Sequence, residues 1–221
     1  MDVPGILIPL LLTLKVAGFA TLFALAAGAA AAFVIARRRP AGTELLDAAL
    51  TLPLVLPPTV LGYYLLTLFG RNGWLGKLLD GFGLSLIFTW QGAVVASAVV
   101  SFPLVYKSAR AAFEGVDKNL ENAARTLGHG EFSLFLLVTL PLAWRGILAG
   151  TMLAFARAAG EFGATLMVAG NMAGKTQTLS LAIYDAVQSG NQSAGLALVA
   201  VTSALCISVL VLSGRLLRPA N

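Results

Sequence analysis

The chain has 221 residues, of which 58% are hydrophobic and 11% charged, against about 25% charged in an ordinary soluble domain. Its mean hydropathy is +0.86. There is too little polar surface to face water, which excludes a soluble enzyme, a disordered tail and a free nucleic-acid binder and leaves the lipid bilayer as the matching solvent. The net charge is +5, from 15 Lys+Arg against 10 Asp+Glu; the positions of the basic residues matter more than the sum, because they set membrane orientation.

A spanning helix needs about 20 mainly apolar residues. The first apolar run, residues 6–36, is interrupted at Lys15, so the pattern predicts a span over 16–36 with 6–14 as an interfacial or tilted lead-in. It stops at Arg37-Arg38-Arg39-Pro40, a charge anchor followed by a helix breaker. Asp2 and the lack of a basic leader argue against a cleaved signal peptide. A second span is predicted over 45–69. It contains Pro53, Pro57 and Pro58, which free backbone carbonyls and produce either a packing kink or a bend beside a pathway. Residues 70–83 read as a short polar turn and 86–106 as the third span.

From Lys107 to Glu131 the chain turns polar yet keeps a helical apolar spacing at Leu120, Ala123, Ala124 and Leu127, which predicts a helix outside the membrane with one apolar face. Beyond it come a short helix up to Leu140, a fourth span over 146–169, a polar loop with a short helix near 179–188, and a fifth span over 194–212 with Arg215 and Arg218 in the tail. Cys206, the single cysteine, reads as a small apolar residue in the last span.

Five spans place nine basic residues (Arg37–Arg39, Lys107, Arg110, Lys118, Arg125, Arg215, Arg218) on one side and three (Arg71, Lys77, Lys175) on the other. The basic side is expected to be cytoplasmic, with the N-terminus outside and the C-terminus inside.

The polar segment carries Glu121-Asn122-Ala123-Ala124-Arg125-Thr126-Leu127-Gly128, followed after nine residues by Val138-Thr139-Leu140-Pro141. Its physics is readable directly. Two alanines permit close approach of a partner, Gly128 permits a sharp exit, and Asp117 or Asn119 can cap the start. This string resembles the cytoplasmic loop of ABC-importer permeases, E-A-A, three residues, G, nine residues, I-x-L-P. Asn122 stands where the glutamate is usual, with Glu121 just before it, and Val138 replaces isoleucine. The resemblance implies that this knob docks on a separate ATPase, with Asp117, Glu121, Asn122, Ala123, Ala124, Arg125, Gly128, Leu140 and Pro141 as the coupling residues.

Leu56-Pro57-Pro58-Thr59-Val60-Leu61-Gly62, Ala159-Gly160-Glu161-Phe162-Gly163-Ala164-Thr165 and Ala169-Gly170-Asn171 are similar to permeases for tetrahedral oxyanions. Together with Gly174-Lys175-Thr176-Gln177-Thr178 and Ile183-Tyr184, they are most similar to the molybdate permeases. The resemblance implies an all-α integral membrane protein, a single permease domain over 1–221 of the type I importer kind, with about five spans and a coupling loop over about 107–141. It further implies a homodimer with the pathway between the copies, two ATPase subunits that bind the ATP and Mg, a periplasmic molybdate-binding protein, and no cofactor on this chain. A sulfate, thiosulfate or tungstate permease is the alternative within the class. A self-contained channel or a structural membrane protein is the alternative outside it, and neither of these needs the loop motif.

Two signals are ambiguous in the sequence. Residues 169–176, Ala-Gly-Asn-Met-Ala-Gly-Lys-Thr, fit a relaxed phosphate-loop pattern, but that loop needs a strand before it and a helix after it; a flexible external loop at the pathway mouth fits the position better. Arg157 and Glu161 lie four apart in a predicted span, hence on one helix face, where unpaired charges are costly. They form either a structural ion pair or part of a hydrated cavity or gate. Pro57, Pro58, Thr59, Thr165 and Asn171 complete the pathway candidates. His129 reads as a solvated or capping residue.

Overall fold

The computed structural model describes residues 3–38 and 41–217. Arg39, Pro40 and Arg218, counted above among the anchors, and Asp2 lie outside the described residues. Helices make up nearly all of the rest. Among the described residues, four helical rods are long and apolar enough to cross a membrane, and one bent pair of helices makes a fifth crossing possible.

Helix α1 (Val3–Arg38) is continuous through Lys15, where a break was expected. The ammonium of Lys15 lies 3.5 Å from the ring centroid of Trp90, so the charge is accommodated over an aromatic face without disturbing the backbone. The first turns are therefore part of the bundle, with Ile6 and Leu10 packed against the last two helices. Pro9 is tolerated inside α1. Its carbonyl accepts from the Thr13 hydroxyl, which in turn accepts the Leu179 amide at 2.8 Å.

The expected second span is two helices, α2 (Thr43–Val55) and α3 (Pro58–Phe69), bent by 108°. Pro57 and Pro58 supply no amide donors, and each proline biases the residue before it toward extended backbone; Leu56 and Pro57 have ψ of 139° and 135°. The pair still carries the chain along its neighbour. Asp47 sits beside Lys107 and Arg110, while Leu61 and Leu65 pack with Ala96 and Val100. The 70–83 segment, expected to be a turn, contains the short helix α4 (Trp74–Asp80).

Helix α5 (Trp90–Glu114) starts with the Thr89 hydroxyl accepting the Gly92 amide. It begins later than the expected third span and continues through Lys107, Arg110 and Glu114, so the extramembrane helix is shorter than expected: α6 (Lys118–Thr126). The fourth span is displaced as well. Helix α7 (Glu131–Leu134), a π turn (Phe135–Thr139) and α8 (Leu140–Ala159) form one rod. The chain then breaks at Gly160 and restarts as α9 (Gly163–Ala169), so no helix spans 146–169. Helices α10 (Leu179–Gln188) and α11 (Gln192–Leu216) follow as expected. Cys206 in α11 is half-buried and free.

Helix α5 is the axis of the bundle, packed by α1 on one side and α8 on another. The α5–α8 seam is made of small residues. A Cβ added at Gly146 would lie 2.6 Å from Ala112 Cβ, and one at Gly150 would lie 2.5 Å from Ser108 Cβ. This is the close backbone approach by which small-xxx-small helices associate in lipid, where apolar bulk gives no preference for protein over solvent.

Candidate functional site

The residues singled out in the sequence fall into two groups. One surrounds α6 at the basic end of the bundle; the other surrounds two helix breaks farther along it.

Helix α6 has nine residues, too few to be stable alone in water, so its ends and one face must hold it. Asp117 caps the start by accepting the Asn119 amide at 2.8 Å. Gly128 leaves the helix at φ +86°, a left-handed conformation that favours glycine. On the inner face, Glu121 and Ala124 are buried. Ala123, Asn122, Leu120 and Leu127 point outward. The two alanines thus face opposite ways: Ala123 is open to a partner, whereas Ala124 is packed within its own chain. Arg125 is held by Glu131 through Nε–Oε1 at 2.6 Å and Nη2–Oε2 at 3.1 Å, and donates to Asn122 Oδ1 at 3.0 Å. Leu140 and Pro141 form the first turn of α8, directly after the π turn. His129 is exposed, with Nδ1 3.0 Å from Ser133 Oγ.

Glu121 is bound more tightly than its place on a polar helix suggests. The Arg37 guanidinium at the end of α1 meets both of its carboxylate oxygens. Thr139 Oγ1 donates to Oε1 at 2.7 Å and accepts from Arg37 Nη2 at 2.9 Å. The paired guanidinium, with the Thr139 hydroxyl assisting, holds the Glu121 carboxyl below the usual carboxylate range despite burial. A second cluster fastens α2 to α5. Asp47 accepts from Tyr106 Oη at 2.8 Å and Arg110 Nη1 at 2.7 Å, and pairs with Lys107.

The second group meets where both breaks touch. A Cβ on Gly163 would lie 2.8 Å from Pro58 Cβ and 3.6 Å from the Thr59 amide, so the α2–α3 bend rests against the α8–α9 break. Glu161 bridges that break. Its Oε2 pairs with Arg157 Nη1 at 2.7 Å, and its Oε1 accepts the Ala164 amide at 2.9 Å in the first turn of α9. Arg157 lies in the last turn of α8, so each charge also complements a helix terminus. The i, i+4 proximity holds, although Glu161 lies beyond the helix rather than on its face. Phe162 packs against Tyr184 of α10, ring centroids 5.2 Å apart. Pro57, Pro58 and Thr59 are exposed. Thr165 is buried within α9, and Asn171 lies beyond the end of that helix.

Residues 169–176 follow a helix, α9, where a phosphate loop requires a strand. The amides of Lys175, Thr176 and Gln177 all donate to the Met172 carbonyl, which closes a compact turn and leaves them aimed inward.

Arg37, Thr139 and Asp47 were not singled out as site residues by sequence reasoning, nor was the Gly146–Gly150 seam. Asp47, an acid inside an apolar run, already called for a partner, and Gly-x-x-x-Gly is a readable packing signal.

Membrane-length helices with a short polar helix fastened at one end define a multi-pass membrane protein. Residues 24–220 match the binding-protein-dependent transport system inner membrane component family, and the chain belongs to that family. It is 48% identical over 210 residues to the molybdenum transport system permease protein ModB of Escherichia coli (strain K12), covering 94% of this chain and 92% of that one. The ModB protein of Haemophilus influenzae is 47% identical over 203 residues, 91% of this chain and 86% of its own. The sulfate transport system permease protein CysW of Synechococcus elongatus is 43% identical over 159 residues, 72% of this chain and 56% of its own. The same fold occurs in the MetNI methionine ABC transporter solved in inward-facing conformations, with a TM-score of 0.77 at 17% identity over 99% of this chain and 98% of that one.

Proposed function

We propose that this chain is the membrane-spanning permease subunit of a molybdate importer, driven by ATP hydrolysed on a separate subunit. The observation that carries the reading is its near full-length similarity to molybdenum permeases, against a shorter match to the sulfate permease. In this reading two copies pair around the pathway. Two ATPases, which hold the ATP and Mg, dock on the outward face of α6, and a binding protein delivers the anion at the opposite end. This chain supplies neither a catalytic site nor a cofactor.

The basic end is then cytoplasmic. Arg145 adds to that bias, since Gly146 beside it packs on Ala112 near the end of α5. The N-terminus lies outside and the C-terminus inside. The two touching breaks, with Pro57, Pro58, Thr59, Arg157 and Glu161, form the part of the pathway wall that moves; Asn171 lies at its approach, and the buried Thr165 backs the wall from within α9.

The test is molybdate uptake in cells lacking their own molybdate permease, supplied with this chain, its ATPase and its binding protein. Uptake should be restored, blocked by excess tungstate and little affected by excess sulfate. Competition by sulfate at equal concentration would move the assignment to a sulfate permease, and uptake independent of the ATPase would overturn the coupled mechanism. Cysteines placed at 73 and 174 in a variant lacking Cys206 should label from outside, and one at 119 should not.

A further inference from the structure

Helix α6 touches the rest of the chain through few groups. Of its side chains only Glu121 and Ala124 are buried, so an apolar face cannot be what fixes it. The partners of Glu121 come from other elements: Arg37 is 84 residues away and Thr139 is 18 away, and Arg37 and Thr139, which bond each other, are 102 apart. Glu121 and Thr139 are 1% and 0% exposed. The three side chains belong to three elements, the last turn of α1, α6, and the π turn that begins the α8 rod. A π turn is a local departure from α-helical hydrogen bonding that recurs at functional positions, and here its final residue supplies the hydroxyl. The neighbouring charges do not compete, since Arg125 and Glu131 are paired with each other.

From this geometry we infer that Arg37, Glu121 and Thr139 form a clamp through which displacement of α6 is delivered to α1 as well as to α8. The inference rests on the proposed ATP-driven function, and it makes the three residues positioning residues for coupling. Glu121, one residue before the position where the motif's glutamate is usual, is enclosed, so its carboxylate acts inside the chain and is not the group offered to the ATPase. The outward side chains Leu120, Asn122, Ala123 and Leu127 are. A bidentate guanidinium–carboxylate contact is directional, so the end of α1 must follow α6 in rotation as well as translation. Because α1 packs along α5, the movement reaches the axis of the bundle by a second route.

The experiment compares Arg37→Met, Glu121→Met and the double variant in the reconstituted complex, reading molybdate taken up per ATP hydrolysed, with melting temperature measured alongside. In parallel, spin labels at Ala123→Cys and Arg38→Cys, in a Cys206→Ala background, report the α6–α1 distance in this chain alone. Each single variant should broaden that distance and lower uptake per ATP about tenfold, within the usual range of a coupling free energy. The double variant leaves no lone buried charge and should regain most of the lost melting temperature while staying uncoupled. If a single variant is lost from the membrane, Thr139→Ser and Thr139→Val decide instead: the first should couple normally and the second should not. A double variant as tightly coupled as the parent, or an unchanged label distance in the single variants, would overturn the clamp. If the parent complex shows no ATP-driven uptake, the proposed function fails, and the label distances still decide whether α6 is fastened to α1.

Discussion

The basic end of the molecule and the region of the two helix breaks hold themselves together in opposite ways. At the basic end several charges are matched: Arg37 with Glu121 and Asp47 with Lys107 and Arg110 across distant parts of the chain, and Arg125 with Glu131 locally. Around the breaks, the ion pair Arg157–Glu161 is joined by proline, glycine and small apolar contacts. Buried hydroxyls farther from the basic end, on Thr21, Ser97, Thr165 and Thr178, have no hydrogen-bond partner. The contrast separates a part built to move as one body from a part built to change shape. Directional contacts at several points fix relative orientation, whereas broken helices in small-residue surroundings have fewer bonds to lose on rearranging.

The sharpest way to break this contrast is at Glu161. Glu161→Ala removes both the partner of Arg157 and the acceptor at the start of α9, and should cost about 3–5 kcal/mol, read as a fall in melting temperature of the purified chain. Arg157→Ala with Glu161→Ala should recover much of that loss, and uptake should stay low if the bridge belongs to the moving part. Normal uptake by the double variant would make the pair purely structural. Next in size is the α5–α8 seam. Gly150→Leu drives a side chain into Ser108 and should cost about 1–3 kcal/mol without altering the α6–α1 distance; a change in that distance would show that the two regions are not independent.

Asp117→Ala should cost about 1 kcal/mol, expressed as faster hydrogen exchange confined to α6. Pro57→Ala should change stability by less than about 1 kcal/mol yet reduce uptake, because the bend loses its enforced geometry. Equal loss of both would assign the proline to packing. The smallest effect is on pH dependence. Glu121 is held below its ordinary range, near 4.3 for a free glutamate, so its contribution is fully present above that value and is lost as pH falls through the lower folded-state value. Acid melting curves of the parent and Glu121→Gln should therefore converge toward low pH, and parallel curves would show that the carboxylate is not preferentially stabilised.

The sequence made the helical class, the number of apolar segments and the docking string legible, because composition and spacing encode them locally. Asp117 and Gly128 were readable for the same reason: a cap and a left-handed exit are decided within a few residues. The breaks were only half legible. Pro57 and Pro58 announced a bend but not its 108° extent, and Gly160 was passed over because the apolar run continues through it into α9. Lys15 misled because a charge in an apolar stretch resembles a boundary until its aromatic partner, 75 residues away in Trp90, is known. Arg37 appeared as one of a run of anchors; only folding selects it for Glu121. Ala123 and Ala124 look equivalent in the string and differ solely by the 100° step between successive helical residues, which turns one toward the partner side and the other inward.

The π turn before α8 sets the angular phase of everything after it. The Leu140 amide bonds to the Phe135 carbonyl, five residues back, so one turn takes up a residue more than an α-helical turn would. Were that turn to relax to ordinary α-helical bonding with no residue removed, α8 would rotate by about 100° about its own axis relative to α7. Gly146 and Gly150 would swing away from Ala112 and Ser108, and bulkier neighbours would face the seam in their place. Interlocked small residues on one side and the Thr139 hydroxyl on the other thus hold the helix at a single dial setting. A lone hydrogen-bond shift in this turn would act as a twist of the whole rod.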